Sequence, residues 1–365
     1  MTGELLYQIG ISLIYGIGVV NAKKLINHCG SAEAVFKESK KNLLKIPGMG
    51  EKLVNNILSS NTLHRAEEEI NFIIKNEITP LYFKDPEFPQ RLLNCYDHPV
   101  MLYYKGNADL NRKRIISIVG TRRITPYGRN NCEAIVEGLK EKDVLVVSGL
   151  AYGVDSCAHR KAVDFDLTTV GVLGHGLDRL YPAQNRKLAE RMLNNGGLLT
   201  EYISKTTPDR ENFPKRNRIV AGMSDATLVI ESGRKGGAMI TAEIANGYNR
   251  DVFALPGNVE NNFSRGCNFL IKVNKAFLCE NAQDIAYLMG WDDKRIKKKE
   301  QLELFVNLSE EEQKIIELLE KNGETGIDIL VIKSGLSTSK VAAALLNLEF
   351  NGMINSLPGK RYKLI

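Results

Sequence analysis

The sequence predicts an α/β protein: an extended Rossmann-like, doubly wound parallel sheet, flanked by a small N-terminal helical domain of helix-hairpin-helix or SAM-like type and a C-terminal winged helix. Three observations predict it. Between Ile115 and about Asp284, short apolar runs rich in β-branched residues alternate with amphipathic helical patterns, as βαβ crossovers require. Ahead of that region lie short helical segments separated by Gly-x-Gly turns. Behind it, three helical segments precede a closing hairpin.

Composition sets the bounds. A chain of 365 residues holds two or three domains at about 100–200 residues each. Hydrophobic residues at 43% and charged residues at 25% describe an ordinary globular chain with a sizeable core. The net charge of +6 leans mildly toward a polyanionic partner. Cys29, Cys95, Cys132, Cys157, Cys267 and Cys279 are scattered without a C-x-x-C pair, so reduced thiols are expected instead of a disulfide framework or a zinc site. No apolar run approaches the roughly 18 residues of a membrane span, and the start MTGELLYQIG lacks the features of a signal peptide. The expectation is a cytoplasmic protein with no membrane partner.

Within residues 1–75, Ile14–Leu25 (IYGIGVVNAKKL) and Leu44–Val54 (LKIPGMGEKLV) share one pattern: apolar, x, Gly, x, Gly, then a helix that brings lysines. It resembles the helix-hairpin-helix module, in which the turn offers backbone N–H groups to a DNA phosphate. Two αα-hairpins packed on one another, serving as a protein docking surface, fit the same residues. From Asn76 to Leu110 the chain is rich in aromatics and prolines, with turns at Asp85-Pro86, Phe88-Pro89 and His98-Pro99. That segment is expected to cross from the small domain and add an edge element to the main one, with His98 structural.

The core opens with Ile115, Ile116, Ile118 and Val119, a run suited to a strand buried on both faces. Gly120 permits a tight turn, and Thr125-Pro126 reads as an N-cap with proline at the first helical position. The loop between them lies at a strand's carboxyl end and before a helix N-terminus, where amides and the dipole favour anions, and Arg122 and Arg123 add charge. Further strands are expected at Val144–Val147, Thr168–Leu173, Leu198–Tyr202, Ala226–Ile230 and Val252–Leu255. Nearly every loop that follows a strand carries glycine, which opens backbone amides along one rim.

A second anchor follows Pro208. In ENFPKRNRIVAGMSD, Phe213-Pro214 begins a helix that holds Lys215, Arg216 and Arg218 in its first turns while Ile219 and Val220 face the core. Arg210 and the Lys235 loop add further cations. A ring beside guanidinium groups suits single-stranded nucleic acid, since bases stack on aromatics and arginines take phosphates. The competing account packs Phe213 into the core and pairs the arginines with Glu201 or Glu211. For Arg216 and Arg218 together with Arg122, clustering favours phosphate contact.

The series SIVGTRR, SGLAYGVD followed by His159, VLGHGLDRLYP, LLTEY, FPKRNRIVAG, ESGRKGGAMITAEIA, FALPGN and SRGCNFLI resembles the DNA processing protein A family (DprA, also called Smf) along the whole central domain. The resemblance implies a Rossmann-like domain that binds single-stranded DNA without catalysis, dimerises, and helps load RecA recombinase during natural transformation. It implies a binding site of Gly120, Arg122, Arg210, Phe213, Arg216 and Arg218, with Lys235 and Gly237 on the neighbouring loop. Arg210 stands where relatives are expected to carry lysine, and Arg123 fits equally a solvated flanking charge. The expected division is 1–75 helical, 76–290 the Rossmann-like DNA-binding domain, 291–307 a basic linker around KRIKKK, and 308–365 the winged helix.

An enzyme on the same fold is the alternative. Asp155, His159, His175, Asp178, Glu201 and Glu243 are available for acid–base work, and KGGAMITAE resembles the glycine-rich loop of nucleotide-cleaving phosphoribohydrolases. Against it, Asp155 reads as the N-cap of the helix containing His159, and the acids of the rim are matched by many cations. No Walker A pattern and no metal-ligand spacing occurs, so neither cofactor nor metal is expected. A scaffold that acts through its terminal domains is a third possibility.

In the last domain, Ser309 and Glu312 form a capping box ahead of an apolar stripe that stops at Asn322-Gly323. A second helix spans Gly326–Lys333 and a third Ser337–Phe350, and Ile354–Leu357 and Arg361–Leu364 flank the Pro358-Gly359 turn. From Glu300 to Ile365 ten acids face seven bases, a net of −3, and the third helix carries a single cation, Lys340. Duplex readers bring more positive charge, so this domain is expected to contact protein.

Overall fold

A computed structural model describes residues 2–292 and 308–365. Six helices come first: α1 (Thr2–Ser12), α2 (Val19–Cys29), α3 (Ala32–Lys37), α4 (Lys40–Leu43), α5 (Glu51–Leu58) and α6 (Thr62–Lys75). The repeated Gly-x-Gly turns have the same geometry. Gly16 and Gly48 adopt φ of +80° and +88°, and Gly18 and Gly50 are the extended N-cap residues of α2 and α5. Ile14, Ile17, Ile46 and Met49 hold the two turns in one core.

Strands β1 (Thr79–Tyr82) and β2 (Met101–Gly106), with the short α7 (Gln90–Leu93) between them, form one edge of the main sheet. The period-2 alternation of β2 explains how two domains become continuous. Met101 and Tyr103 face the N-terminal helices, whereas Leu102 and Tyr104 face the central core. The aromatic segment thus supplies two antiparallel strands where one edge element was expected, and the N-terminal core extends past residue 76.

The central unit runs β3 (Arg114–Val119), α8 (Pro126–Gly138), β4 (Val144–Ser148), α9 (Val154–Asp164), β5 (Thr169–Leu173), α10 (Arg186–Met192), β6 (Gly196–Thr200), α11 (Asn212–Gly222), β7 (Ala226–Val229), α12 (Gly237–Gly247), β8 (Asp251–Ala254), α13 (Arg265–Lys272), β9 (Phe277–Leu278) and α14 (Ala282–Leu288). The nine strands lie in the order β1-β2-β6-β5-β4-β3-β7-β8-β9, parallel from β6 to β9. Every residue of β3 is buried. Ile115 and Val119 pack on one face, Ile116 and Ile118 on the other, and Ser117 bonds Thr227 at 2.7 Å. Successive strands leave β3 in one direction as far as β6, then β7 returns to its other side. The strand order therefore reverses between β3 and β7, which is where an open α/β sheet parts its loops into a crevice.

The C-terminal unit has its own core and comprises α15 (Glu310–Asn322), β10 (Thr325–Gly326), α16 (Ile327–Ser334), α17 (Thr338–Phe350), β11 (Ile354–Leu357) and β12 (Arg361–Leu364), a winged helix. Its capping box is formed as expected, with Ser309 Oγ accepting from Glu312 N and Glu312 accepting from Ser309 N. The basic run Lys294–Lys299 lies outside the described residues. Among the described residues no single helix is long and apolar enough to cross a membrane.

Candidate nucleic-acid interface

A cavity of about 780 Å³ opens at the β3/β7 reversal. Its walls come from the loops after β3, β4 and β7, from the first turns of α11 and α12, and from Tyr181. Of the residues expected at the site, Gly120, Arg122, Arg210, Phe213, Arg216, Lys235 and Gly237 line it.

Glu231, two residues beyond β7, fixes the loop after β3. Its carboxylate accepts from Thr125 N at 2.9 Å and Thr125 Oγ1 at 2.5 Å, and its backbone oxygen accepts from Thr121 N at 2.7 Å. Thr125 in turn caps α8 by accepting from Gly128 N at 3.2 Å. With both ends of the loop held, Arg122 extends over the ring of Phe213, its guanidinium carbon 5.6 Å from the centroid. Tyr181 packs at a tilt against the same ring, with centroids 5.9 Å apart. Tyr181 is 44% exposed, so an aromatic surface stays open to solvent beside fixed cations. Phe213 is half-buried, between the two roles the sequence left open.

The cations divide by environment. Arg122, Arg210 and Lys235 are exposed, and Arg210 and Lys235 make no hydrogen bond or ion pair among the described residues. Arg216 is only 4% exposed. It lies beneath Gly149, donating through Nη1 to Gly149 O at 2.7 Å and to Val172 O. A Cβ at Gly149 would come within 2.4–2.6 Å of that guanidinium, so a larger residue there would displace Arg216 from its place. Burial lowers Arg216 to about 10, and the Asp155 carboxylate opposes that shift. At neutral pH it remains a buried positive charge in the cavity floor.

Two expectations are corrected. Asp155 is not the cap of α9: Gly153 holds that position, and Asp155 sits in the first turn, accepting from Gly149 N at 3.1 Å and Ala151 N at 3.3 Å. Burial raises its carboxyl, with Arg216 and these amides pulling the other way. Arg218 does not line the cavity. It donates to Asp97 O at 2.8 Å and pairs with Glu201, whose carboxyl burial raises against the pull of Arg218. The ion-pair account holds for Arg218, because residues two apart on a helix point about 200° apart and cannot both face one ligand.

The remaining candidate acids and bases are engaged elsewhere. His159 is fully buried against Thr169 Oγ1 at 2.7 Å, and since that hydroxyl donates to Val146 O, His159 Nδ1 is the donor. His175 is buried and accepts from Tyr181 N through Nε2 at 3.1 Å. Asp178 bonds Arg179 and Lys205 N, and Glu243 pairs with Lys275. Tyr181 was missed by the sequence reading, although the glycine-rich GHGLDRLYP stretch beyond β5 leads directly to it.

The arrangement suits a flexible polyanion with stackable bases. Exposed cations ring an open aromatic surface, and the N-terminus of α12 and the Gly120–Thr125 loop turn toward the same cavity.

Comparison with known proteins gives the family. Residues 79–290 match the family model described as DNA recombination-mediator protein A, residues 306–360 the DprA winged helix domain, and residues 11–60 a SAM-like helix-hairpin-helix tandem. The chain is 32% identical to Protein Smf of Synechocystis over 99% of its own length and 98% of that protein's. It is 39% identical to DNA processing protein DprA of Streptococcus pneumoniae over 55% of this chain and 71% of that one. The crystal structure of the pneumococcal protein superposes with a TM-score of 0.67 at 30% identity, covering 77% of this chain and 97% of that one. A Helicobacter pylori DNA processing protein A structure, concerned with that protein's single-stranded DNA binding mode, gives a TM-score of 0.54 at 29% identity over 59% and 97%.

Proposed function

Since the chain belongs to the DNA processing protein A family, DprA or Smf, we propose that it binds single-stranded DNA in the cavity at the β3/β7 reversal and performs no chemistry on it. The observation that carries this reading is the open Tyr181–Phe213–Arg122 group ringed by Arg210 and Lys235. Bases stack on the rings, phosphates meet the cations, and neither contact reads base identity, so selectivity for sequence is weak. Arg216 contributes mainly potential from the floor, because Nη1 is used on two backbone carbonyls and Nε on Asn217 Oδ1. In this reading the protein protects incoming DNA and helps load RecA in transformation, acting as a cytoplasmic homodimer. The family resemblance supports those partners. We propose the division 1–75, 76–290, 291–307 and 308–365, although Ile78, Tyr82, Met101 and Tyr103 join the N-terminal core across the first boundary and Trp291 packs in the central core across the second.

Binding of a fluorescent single-stranded oligonucleotide at several salt concentrations tests the site. Arg122→Ala with Arg210→Ala should weaken binding at least tenfold and make the slope of log K against log salt shallower by about 1.4, two phosphates at 0.7 each. Phe213→Ala should cost about 1–3 kcal/mol of affinity with the slope unchanged. Wild-type binding by the double variant would remove the cavity as the site. One observation favours a nucleotide-cleaving enzyme instead: Asp155 stands in the cavity wall. Release of base or sugar phosphate from nucleotides would support that alternative.

A further inference from the structure

We infer that Glu69, on α6 of the N-terminal helical domain, is a positioning residue for the single-strand site, acting through the segment that joins β6 to α11. The inference rests on the reading of the cavity given above. Residues 201–211 contain no helix or strand, yet they carry Pro208 and Arg210 into the cavity wall and deliver Phe213. An unsupported connection of that length is mobile, and mobile cations and rings bind weakly because they must be ordered first.

The support comes from the other domain. Glu69 is 2% exposed and Ser204 is 5% exposed. The Glu69 carboxylate accepts from Ser204 N at 2.9 and 3.1 Å and from Ser204 Oγ at 2.5 Å. Arg65 closes the same residue from its other side, donating to Ser204 O at 2.6 Å and to Glu69 at 2.9 Å. At the next position Lys205 takes φ of +70°, its N–H donates to Asp178 at 3.0 Å, and its ammonium reaches Glu68 at 2.9 Å. Ile203 packs on the N-terminal core. From there the bonds run on toward the site. Gly176 N donates to Thr206 O, Thr207 Oγ1 to Asp209, and Asn212 Nδ2 to Thr207 O, so the start of α11 is tied to the clamped residue. Glu69 itself does not line the cavity.

The test uses the full chain, a fluorescent single-stranded oligonucleotide and a salt series. Glu69→Ala should weaken binding about tenfold and make the salt slope shallower by about 0.7, the loss of one phosphate contact, as Arg210→Ala does. Combining the two should weaken binding by less than the product of the separate losses, because both remove the Arg210 contact and only the looser placement of Phe213 is left to lose. Amide exchange should accelerate across residues 203–212 and stay unchanged in the loop after β3. General destabilisation would lower the active fraction without changing the slope, so an unchanged slope, additive losses or uniformly faster exchange overturns the inference. Should Glu69→Ala fail to fold, Ser204→Ala decides: it removes the hydroxyl alone, and about threefold weaker binding that shrinks in the Arg210→Ala background is expected. Wild-type affinity in Ser204→Ala would sink the idea. The Arg122→Ala, Arg210→Ala pair separates the two levels: wild-type binding by that pair removes the site itself, whereas lost binding there with intact binding in Glu69→Ala removes only the positioning role.

Discussion

Arg216 and Arg218 show how position decides what a charge does. Both were grouped with Arg122 from the sequence, but one lies in the cavity floor against backbone carbonyls and the other pairs with Glu201 outside the cavity. Arg218→Ala would leave the Glu201 carboxylate buried without its partner, so unfolding in urea should show a loss of about 3–5 kcal/mol. Arg122→Ala, at an exposed position, should change stability by less than about 0.5 kcal/mol. Gly120, Arg122, Arg210, Phe213, Lys235 and Gly237 were legible because residues just beyond parallel strands and at the start of helices converge on one rim. Tyr181 was not, since no local pattern reveals which distant ring will meet Phe213. Nor was the service of Glu231, whose carboxylate reaches a threonine more than a hundred positions earlier in the chain.

At the level of elements, helical and strand periodicity carried most of the reading. The winged helix was recognisable from its capping box, its Asn-Gly stop and its closing turn, all of which form. Helix α17 sits where a duplex reader would place its recognition surface, yet the exposed Ala343, Leu346 and Phe350 recur at helical spacing and make that surface apolar. Its one cation, Lys340, is already paired with Glu311 at 3.0 Å. Residues 308–365, which enclose their own core, should therefore show no binding to duplex DNA in an anisotropy titration at physiological salt. The aromatic stretch after residue 76 was harder to read. Its alternation belongs to two cores at once, so neither period-2 burial nor surface exposure stands out along β2.

For the whole molecule, buried histidines set the response to acid. Burial, reinforced by Arg216, lowers His159 from 6.5 to about 3, and burial also lowers His98 and His175. Below pH 6.5 the unfolded chain takes up protons that the folded chain refuses. Stability is thus complete above that value and falls as the pH drops toward 3, by about 1.4 kcal/mol per pH unit for His159 alone. Asp155 and Glu201, whose carboxyls are raised, bind protons more readily when folded and oppose the loss at the acid end. Urea midpoints at pH 7.5, 6 and 5 should fall progressively, and His159→Gln should flatten the trend. The strand order was the part of the architecture that periodicity left open, because a parallel strand reads the same whoever its neighbour is. In the order observed, Ile116 pairs with Val146 on one side and with Ala226 on the other. That second pairing has a consequence for synthesis on the ribosome. A nascent chain emerging at about 5–20 residues per second exposes one side of β3 until β7 arrives, so half the crevice exists for several seconds as bare strand edge. Competence to hold a ligand arrives late in translation, and the interval before it is when this protein is most open to mispairing.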